Sequence, residues 1–439
     1  MKIIQGAEFD VYWKSQSVQK YDKKTESTVK KIIAAVQKNG DKAVRRFASK
    51  FDKSSPQQLE VPLSAAKNAA AELRETDPTL AAALELAAEH IMRFSIKQKE
   101  QFADFEYEME QGLDTGQRVI PVERAGIYVP AGRFPLFSSV LMAMIPALCA
   151  GVEQVILASP PEADGLPNRK ILAAAAIAIE AANKAESKVR LFAIGGAQAI
   201  AALALGTESV PRVDVIAGPG NKYVQEAKRL LYGKVGIDFV AGPTDVLIIA
   251  DGDTEQAADF VAADMLAQAE HDPDARARAL ISNRDLAEKI AAAIEKRLAS
   301  LPTAATARAS LNAGGVIIVY ASKEDAIRIA NIIAPEHLEL QTADAQVWIP
   351  HLKNYGSLFV GSLSAETLGD YSAGINHTLP TSGSARFTGG LSVRHFLKTV
   401  TTLRCAPGSG FDRAAQAAEV LANAEGLAGH AQSAVSRHK

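Results

Sequence analysis

The chain has 439 residues, 48% of them hydrophobic, and a formal net charge of −2. That length provides for two or three domains with full cores, and the charge balance offers no basic field to a nucleic acid. Two cysteines, Cys149 and Cys405, exclude a disulfide framework and fit a reducing compartment.

The first residues, MKIIQGAEFDVYWKSQ, contain no apolar core of a signal peptide. Up to about residue 111 the chain reads as helical and charged, with helical spacing over 29–36 and 80–94 and a solvated lysine-rich face over 20–31. This stretch offers no evident chemistry. The longest apolar run, 140–152, carries Pro146 and Gly151 and is too short to span a bilayer. The expectation is a cytoplasmic protein with neither membrane nor nucleic-acid partners.

From Arg118 the texture changes. Apolar runs at 127–129, 155–158, 189–194 and 213–217 alternate with helical segments at 170–182 and 197–204. Continuous apolar strands alternating with helices imply a parallel sheet covered on both faces. Small-residue turns end the strands: 128–132, 195–198 and 218–221. Glycines there let a backbone approach a phosphate, but the G-x-G-x-x-G dinucleotide fingerprint is absent. A second α/β unit follows from about residue 240. Its strands are expected at 246–250, 278–281, 316–320 and 357–360, and its helices at 258–269, 286–298 and 323–332. The chain then becomes loop-rich from Leu368 and ends in an Ala-rich helix that breaks at Gly426.

The segment 257–273 carries the clearest chemistry. Ala258, Val261, Ala262, Met265, Leu266 and Ala269 make an apolar stripe. Asp253 with Gln256 is a candidate capping box, and Pro273 stops the helix. Asp264, Gln268 and His271 share the other face, and a carboxamide oxygen beside an imidazole suits a divalent cation such as zinc. Three further clusters stand out: adjacent Glu336 and His337 after a helix, Asp370 and His377 in a glycine-rich loop, and Glu425 with His430 around a glycine break. Adjacent groups of different pKa are general-base candidates. Gln268, His271, Asp370 and His430 together would make a mixed nitrogen–oxygen metal shell. His90, His351, His395 and His438 have no such company. These residues alone indicate a metalloenzyme.

The stretches GIYVPAG, GGAQAIAALALGT, AGPGN, AGPTDVLIIAD, LAQAEHDP, APEHLEL, GDYSAGINHTLPTSGSARF and AEGLAGHAQS occur in an order and at spacings that resemble the histidinol dehydrogenase family. They cover roughly residues 118–439. The resemblance implies an α/β fold like that of aldehyde dehydrogenases: two related α/β/α domains with parallel sheets, plus small helical N- and C-terminal appendages. It divides the chain into a mainly helical region (1–117), a nucleotide-binding domain (118–240), a catalytic domain with a zinc site (241–378) and a C-terminal tail (379–439).

It also implies oxidation of L-histidinol to L-histidine through bound L-histidinal, with two NAD and one zinc per site. Zinc would be held by Gln268, His271, Asp370 and His430. Glu336 and His337 match the family's acid–base pair, and Tyr128, Gln198 and Asn221 match its NAD contacts. Thr244, His377 and Glu425 fall at substrate positions, together with Gln268, His271, His337, Asp370 and His430. Thr244 stands where Ser is common in the family, and Asp245 where Glu is common. The family is a homodimer with shared sites, so Glu425 and His430 are expected to act in the partner's site. Two competing readings are a zinc-dependent dehydrogenase of another amino alcohol or polyol, and a cysteine-dependent aldehyde dehydrogenase. The second needs an activated thiolate; both cysteines lie in apolar contexts without an adjacent base and read as packing residues.

Overall fold

The computed structural model describes residues 1–15, 22–131, 135–183, 188–252 and 254–437. Gly132, Asp253 and His438, named above, lie outside the described residues.

The chain opens with strand β1 (Lys2–Gln5), then α1 (Phe9–Ser15), α2 (Lys23–Phe51), β2 (Glu60–Val61), α3 (Leu63–Thr76) and α4 (Pro78–Lys99). Asp22 caps α2 by accepting from Lys24 N and Thr25 N, and Asp77 caps α4 ahead of a proline in its first turn. Strands β3 (Phe105–Glu110) and β4 (Leu113–Pro121) form an antiparallel hairpin. The first α/β unit runs β5 (Arg124–Tyr128), α5 (Ser138–Ala150), β6 (Gln154–Ser159), α6 (Arg169–Ala181), β7 (Val189–Ala193), α7 (Gly196–Leu205), β8 (Val215–Ala217), α8 (Lys222–Leu231) and β9 (Gly236–Ile237).

The second unit runs β10 (Asp245–Ala250), α9 (Glu255–Ala269), β11 (Arg276–Ile281), α10 (Arg284–Leu298), α11 (Ala304–Gly314), β12 (Val316–Val319), α12 (Lys323–Ile333), β13 (His337–Gln341), α13 (Ala345–Trp348) and β14 (Ser357–Val360). Helix α14 (Glu366–Tyr371), β15 (Leu397–Cys405), α15 (Ser409–Ala424) and α16 (Ala428–Val435) complete it. The α9 cap is Thr254, whose side chain accepts from Ala257 N at 3.0 Å.

The two large sheets are built alike. The first has the order β2-β7-β6-β5-β8-β9 and the second β1-β12-β11-β10-β13-β14. In each, the winding begins at a central strand, β5 or β10, runs two strands one way and returns to run two the other way, while β2 and β1, from earlier in the chain, take the edges beyond β7 and β12. Every pairing is parallel except β2 with β7. Helices cover both faces of each sheet and make four buried apolar layers, which is why the central strands read as unbroken apolar runs. Helix α5 is buried almost all round, so its sequence has no polar stripe.

The pattern left three features unseen. The region before residue 118 is not only helical: β1 pairs in parallel with β12, and β2 joins the edge of the first sheet. A third, antiparallel sheet, β15-β4-β3, projects from the body; its residues are mostly exposed and show no alternation. Asp370 lies in the short helix α14 rather than in the glycine-rich loop, which starts beyond it.

Among the described residues, no helix is long and apolar enough to cross a membrane.

Candidate active site

Strand ends of both sheets face one cavity. Tyr128 ends β5 and Gly218–Gly220 follow β8, both at carboxyl ends of the first sheet, whereas Thr244 precedes β10, Glu336 precedes β13 and His337 begins it, at amino ends of the second. A cavity of about 240 Å³ lies between these edges, lined by Gly218, Gly220, Thr244, His271, Glu336, His337, Asp370 and His377 among others. In the first sheet this is the expected crevice outside the carboxyl ends of the strands at the switch point. In the second sheet the chemistry sits at the opposite ends.

Glu336 is fixed on all sides. Its backbone N–H donates to Asp245 Oδ1 at 3.1 Å, and Asp245 N–H returns a bond to Glu336 Oε2 at 3.1 Å. Arg278 Nη1 holds the other Asp245 oxygen at 3.0 Å. The Thr244 hydroxyl donates to Glu336 Oε2 at 2.5 Å and accepts from Gln268 Nε2 at 2.8 Å. Burial pushes the Glu336 carboxyl up to about 7, against the opposing pull of His337 and Thr244. Asp245, the first residue of β10, is therefore the residue that positions Glu336, a role the sequence did not reveal.

His337 points among carboxylates. Its Nε2 lies 3.3 Å from Asp370 Oδ1, and its Nδ1 lies 3.8 Å from Glu366 and 4.0 Å from Glu336. These are ion-pair contacts, and neither ring nitrogen has an aligned hydrogen-bond partner. Burial lowers the imidazole pKa, but Glu336, Glu366 and Asp370 outweigh it and hold His337 well above its usual value. Burial raises the Glu366 carboxyl to about 8. Behind it, Glu339 Oε1 accepts from Glu366 N at 3.0 Å, and Gln341 Nε2 bridges Glu339 and Asp264 at 2.7 and 2.9 Å. Asp264 thus faces this buried carboxylate cluster, although it shares a helix face with Gln268. Two signals in the sequence point to Glu366 and Glu339. Glu366 precedes Asp370 by four residues on one helix, and Glu339 follows His337 by two on one strand.

His377 is held from both sides: Nδ1 lies 2.8 Å from the Asp370 carbonyl and Nε2 lies 2.9 Å from Ser139 Oγ. Burial lowers its pKa, so it is a neutral group. Ser139, at the start of α5, is a further lining residue that the sequence did not single out.

The metal-ligand candidates divide. His271 and Asp370 line the same cavity, and Gln268 touches it through Thr244. Gln268 Oε1 is buried without a partner, a loss of about 1–3 kcal/mol in a folded protein unless something else binds it. A carboxamide oxygen, an imidazole and a carboxylate are suitable donors for zinc. Among the described residues no group of three or more His, Cys, Asp and Glu stands ready as a metal shell. The fourth candidate, His430, is exposed on α16. With Glu425 it lines a separate groove beside β15 that shares no residue with the cavity. One chain brings three of the four donors near one another and leaves Glu425 and His430 apart.

Tyr128 and Gln198 are buried side by side at the carboxyl edge of the first sheet, where Tyr128 Oη accepts from Gly196 N at 3.0 Å. Asn221 is exposed, and its side-chain oxygen caps α8 by accepting from Tyr223 N and Val224 N. Gly218 has a φ of +120°, and a Cβ there would run into the Tyr128 carbonyl, so the loop at the cavity floor must be glycine. Beneath it, the fully buried Lys228 pairs with Asp238. Lys228 also donates to Gly218 O at 3.1 Å, and Asp238 accepts from Gly218 N at 2.8 Å. Breaking such a buried pair costs about 3–5 kcal/mol, so the loop is firmly anchored. Cys149 is buried, whereas Cys405 is exposed on β15 and is no core-packing residue of this chain. Neither cysteine lines the cavity.

A sequence-family profile described as Histidinol dehydrogenase matches residues 15–438. A histidinol dehydrogenase of Pseudomonas savastanoi pv. phaseolicola is 43% identical over 425 residues, 97% of this chain and 91% of that protein. The crystal structure of histidinol dehydrogenase from Elizabethkingia anophelis superposes with a TM-score of 0.91 at 34% identity, covering 100% of this chain and 98% of that one. An acetylating aldehyde dehydrogenase from Geobacillus thermoglucosidasius shares the fold, with a TM-score of 0.51 at 14% identity over 89% of this chain and 99% of that one. With a match along nearly the whole chain and the same architecture, this protein belongs to the histidinol dehydrogenase family of NAD-dependent oxidoreductases.

Proposed function

We propose that the cavity between the two sheets oxidises L-histidinol to L-histidine in two successive steps, with L-histidinal held in place between them. The observation that carries this reading is the pairing of Glu336 and His337. A buried carboxyl pushed up to about 7 lies beside an imidazole that faces Asp370 and Glu366, at the wall of one cavity. Two oxidations move two different protons, and adjacent groups of different character suit that task.

Gln268, His271 and Asp370, with His430 contributed by a second copy of the chain, would hold a zinc ion. When bound, zinc would orient and acidify the amino alcohol, and NAD would accept the hydride of each oxidation. In the first oxidation the neutral form of His337 takes the proton of the substrate hydroxyl, and the surrounding carboxylates stabilise the imidazolium that results. In the second, Glu336 takes a proton from the water that adds to the aldehyde carbon and becomes the second carboxylate oxygen. Thr244 aims the Glu336 carboxylate, and Asp245 with Arg278 fixes its backbone. His377, neutral and locked by Ser139, offers a polar wall for the substrate. Tyr128, Gln198 and Asn221 would contact NAD. The enzyme is read as a cytoplasmic homodimer in which Glu425 and His430 complete the partner's site.

The test is stoichiometry. Purified protein with one zinc per chain should form two NADH per L-histidinol consumed and release no free aldehyde. One NADH per substrate with aldehyde in solution, or no turnover by zinc-loaded protein, would sink the reading.

A further inference from the structure

The helical region before residue 118 sends one side chain to the nucleotide edge of the first sheet. Asp52 follows α2 directly, and its backbone N–H closes the helix on Ala48 O. Gln198 Nε2 donates to Asp52 Oδ2 at 3.4 Å, and the Asp52 carboxylate also accepts from the Gly195 backbone. Gly195 makes room for it, since a Cβ at that position would lie 2.6 Å from Asp52 Oδ1. The negative charge is close enough to Tyr128 to raise its phenol further. No cationic side chain acts on this carboxyl among the described residues, and the neighbouring Lys53 is engaged with Glu162. Burial alone lifts the Asp52 carboxyl to about 6.

The place along the sheet gives this carboxylate a meaning. The strands run β8, β5, β6, β7 in spatial order. Gly218, after β8, lines the reaction cavity, whereas Tyr128, Gln198 and Asp52 do not. Gly195, after β7, is three strand spacings from Gly218, about 14 Å at the usual separation. A dinucleotide with its reacting ring in the cavity and its body along this edge brings its adenosine half to Asp52. A carboxylate without a cationic partner accepts a hydrogen bond from a hydroxyl and repels phosphate. It also occupies the amino end of α7, the kind of place where a pyrophosphate binds in other folds.

We propose that Asp52 accepts a hydrogen bond from the adenosine 2′-hydroxyl of NAD and thereby selects NAD over NADP, whose 2′-phosphate it excludes. The acid is supplied from a helical segment outside the sheet, in place of the acidic residue within the βαβ unit that serves this purpose in standard dinucleotide folds. The inference rests on the reading of Tyr128 and Gln198 as NAD contacts.

The test is Asp52→Asn, assayed with NAD and with NADP. KM for NAD should rise about 10-fold while kcat changes less than about 3-fold, the pattern of lost binding rather than lost chemistry. The NAD-over-NADP preference should fall at least about 10-fold. In parallel, the unmodified enzyme should use NAD lacking the adenosine 2′-hydroxyl about 10-fold less well, a difference that vanishes in Asp52→Asn. A folded variant with unchanged KM and unchanged preference overturns the proposal, and so does a loss confined to kcat. If the variant does not fold, equal use of the deoxy cofactor by the unmodified enzyme overturns it. Gln198→Ala separates the two levels. Should it also leave the KM for NAD unchanged, the nucleotide site itself is misread. Should it raise KM while Asp52→Asn does not, only the role of Asp52 fails.

Discussion

Thr244 and Glu336, each just before one of two neighbouring strands of the second sheet, share a hydrogen bond of 2.5 Å in which the threonine hydroxyl donates to the carboxylate. The same hydroxyl accepts from Gln268. One small side chain thus couples a proton acceptor to a candidate metal ligand.

Removing that hydroxyl should shift the pH dependence. Glu336 acts as a base only when ionised, and its carboxyl sits at about 7, so the base is present above that pH and lost as pH falls through it. The Thr244 bond favours the ionised form. Thr244→Val should therefore move the acid limb of the kcat/KM profile to higher pH, with about a 10-fold loss at pH 7. Thr244→Ser should stay within about 3-fold of the parent, because the hydroxyl remains. Superimposable profiles for the parent and Thr244→Val would remove Glu336 as the group behind the limb.

The two proton-transfer residues should separate kinetically. Glu336→Gln is expected to yield close to one NADH per site in a rapid phase and then stall, and to be slow with L-histidinal from the start. His337→Asn should show the reverse bias. General-base losses of about 10²–10⁴-fold are readily resolved in a stopped-flow trace. Equal slowing of both half-reactions in both variants would end the division of labour.

Metal content can be read without turnover. His271→Asn and Asp370→Ala should each bind zinc at least about 10-fold more weakly while their melting profile in metal-free buffer stays close to the parent's. Gln268→Ala should weaken zinc too, since it removes the partnerless buried oxygen. Full zinc occupancy after dialysis of all three would show that the metal lies elsewhere.

Site sharing has a complementation test. His430 lies apart from the cavity of its own chain, so His430→Ala and His271→Ala chains, each inactive alone, should recover activity when re-paired. A mixed dimer has one site with both defects and one with neither. Verified mixed dimers that stay inactive would place His430 outside the chemistry.

What the sequence conveyed follows from burial. The central strands, such as β6 and β10, are apolar on both faces and were legible to within a residue or two. β13 was not, because His337, Glu339 and Gln341 alternate with leucines, and a polar face on a strand normally means solvent. Here that face is buried against the carboxylates of α9 and α14, and the functional arrangement itself hid the strand. The ribbon β15-β4-β3 escaped notice for the opposite reason: its exposed faces impose no period. The helix stripe from Ala258 to Ala269 is buried as its spacing required. The same spacing also suggested that Asp264 joins Gln268, yet one turn of helix separates a cavity ligand from a buried acid pair. Only the tertiary structure links Thr244 to Glu336 and Asp52 to Gln198, residues far apart in the chain.

The pairing of β1 with β12 has a consequence for how the protein is made. Lys2 aligns with Val316, so the edge of the second sheet waits for a strand synthesised long after its partner. At about 5–20 residues per second, roughly fifteen seconds to a minute separate the two on the ribosome. During that interval β1 carries unpaired backbone groups and Ile4, a side chain that ends up buried. The first sheet, whose strands lie between residues 60 and 237, can close meanwhile. Vectorial synthesis would therefore favour finishing the two halves in sequence, with β1 docking only after β12 has emerged.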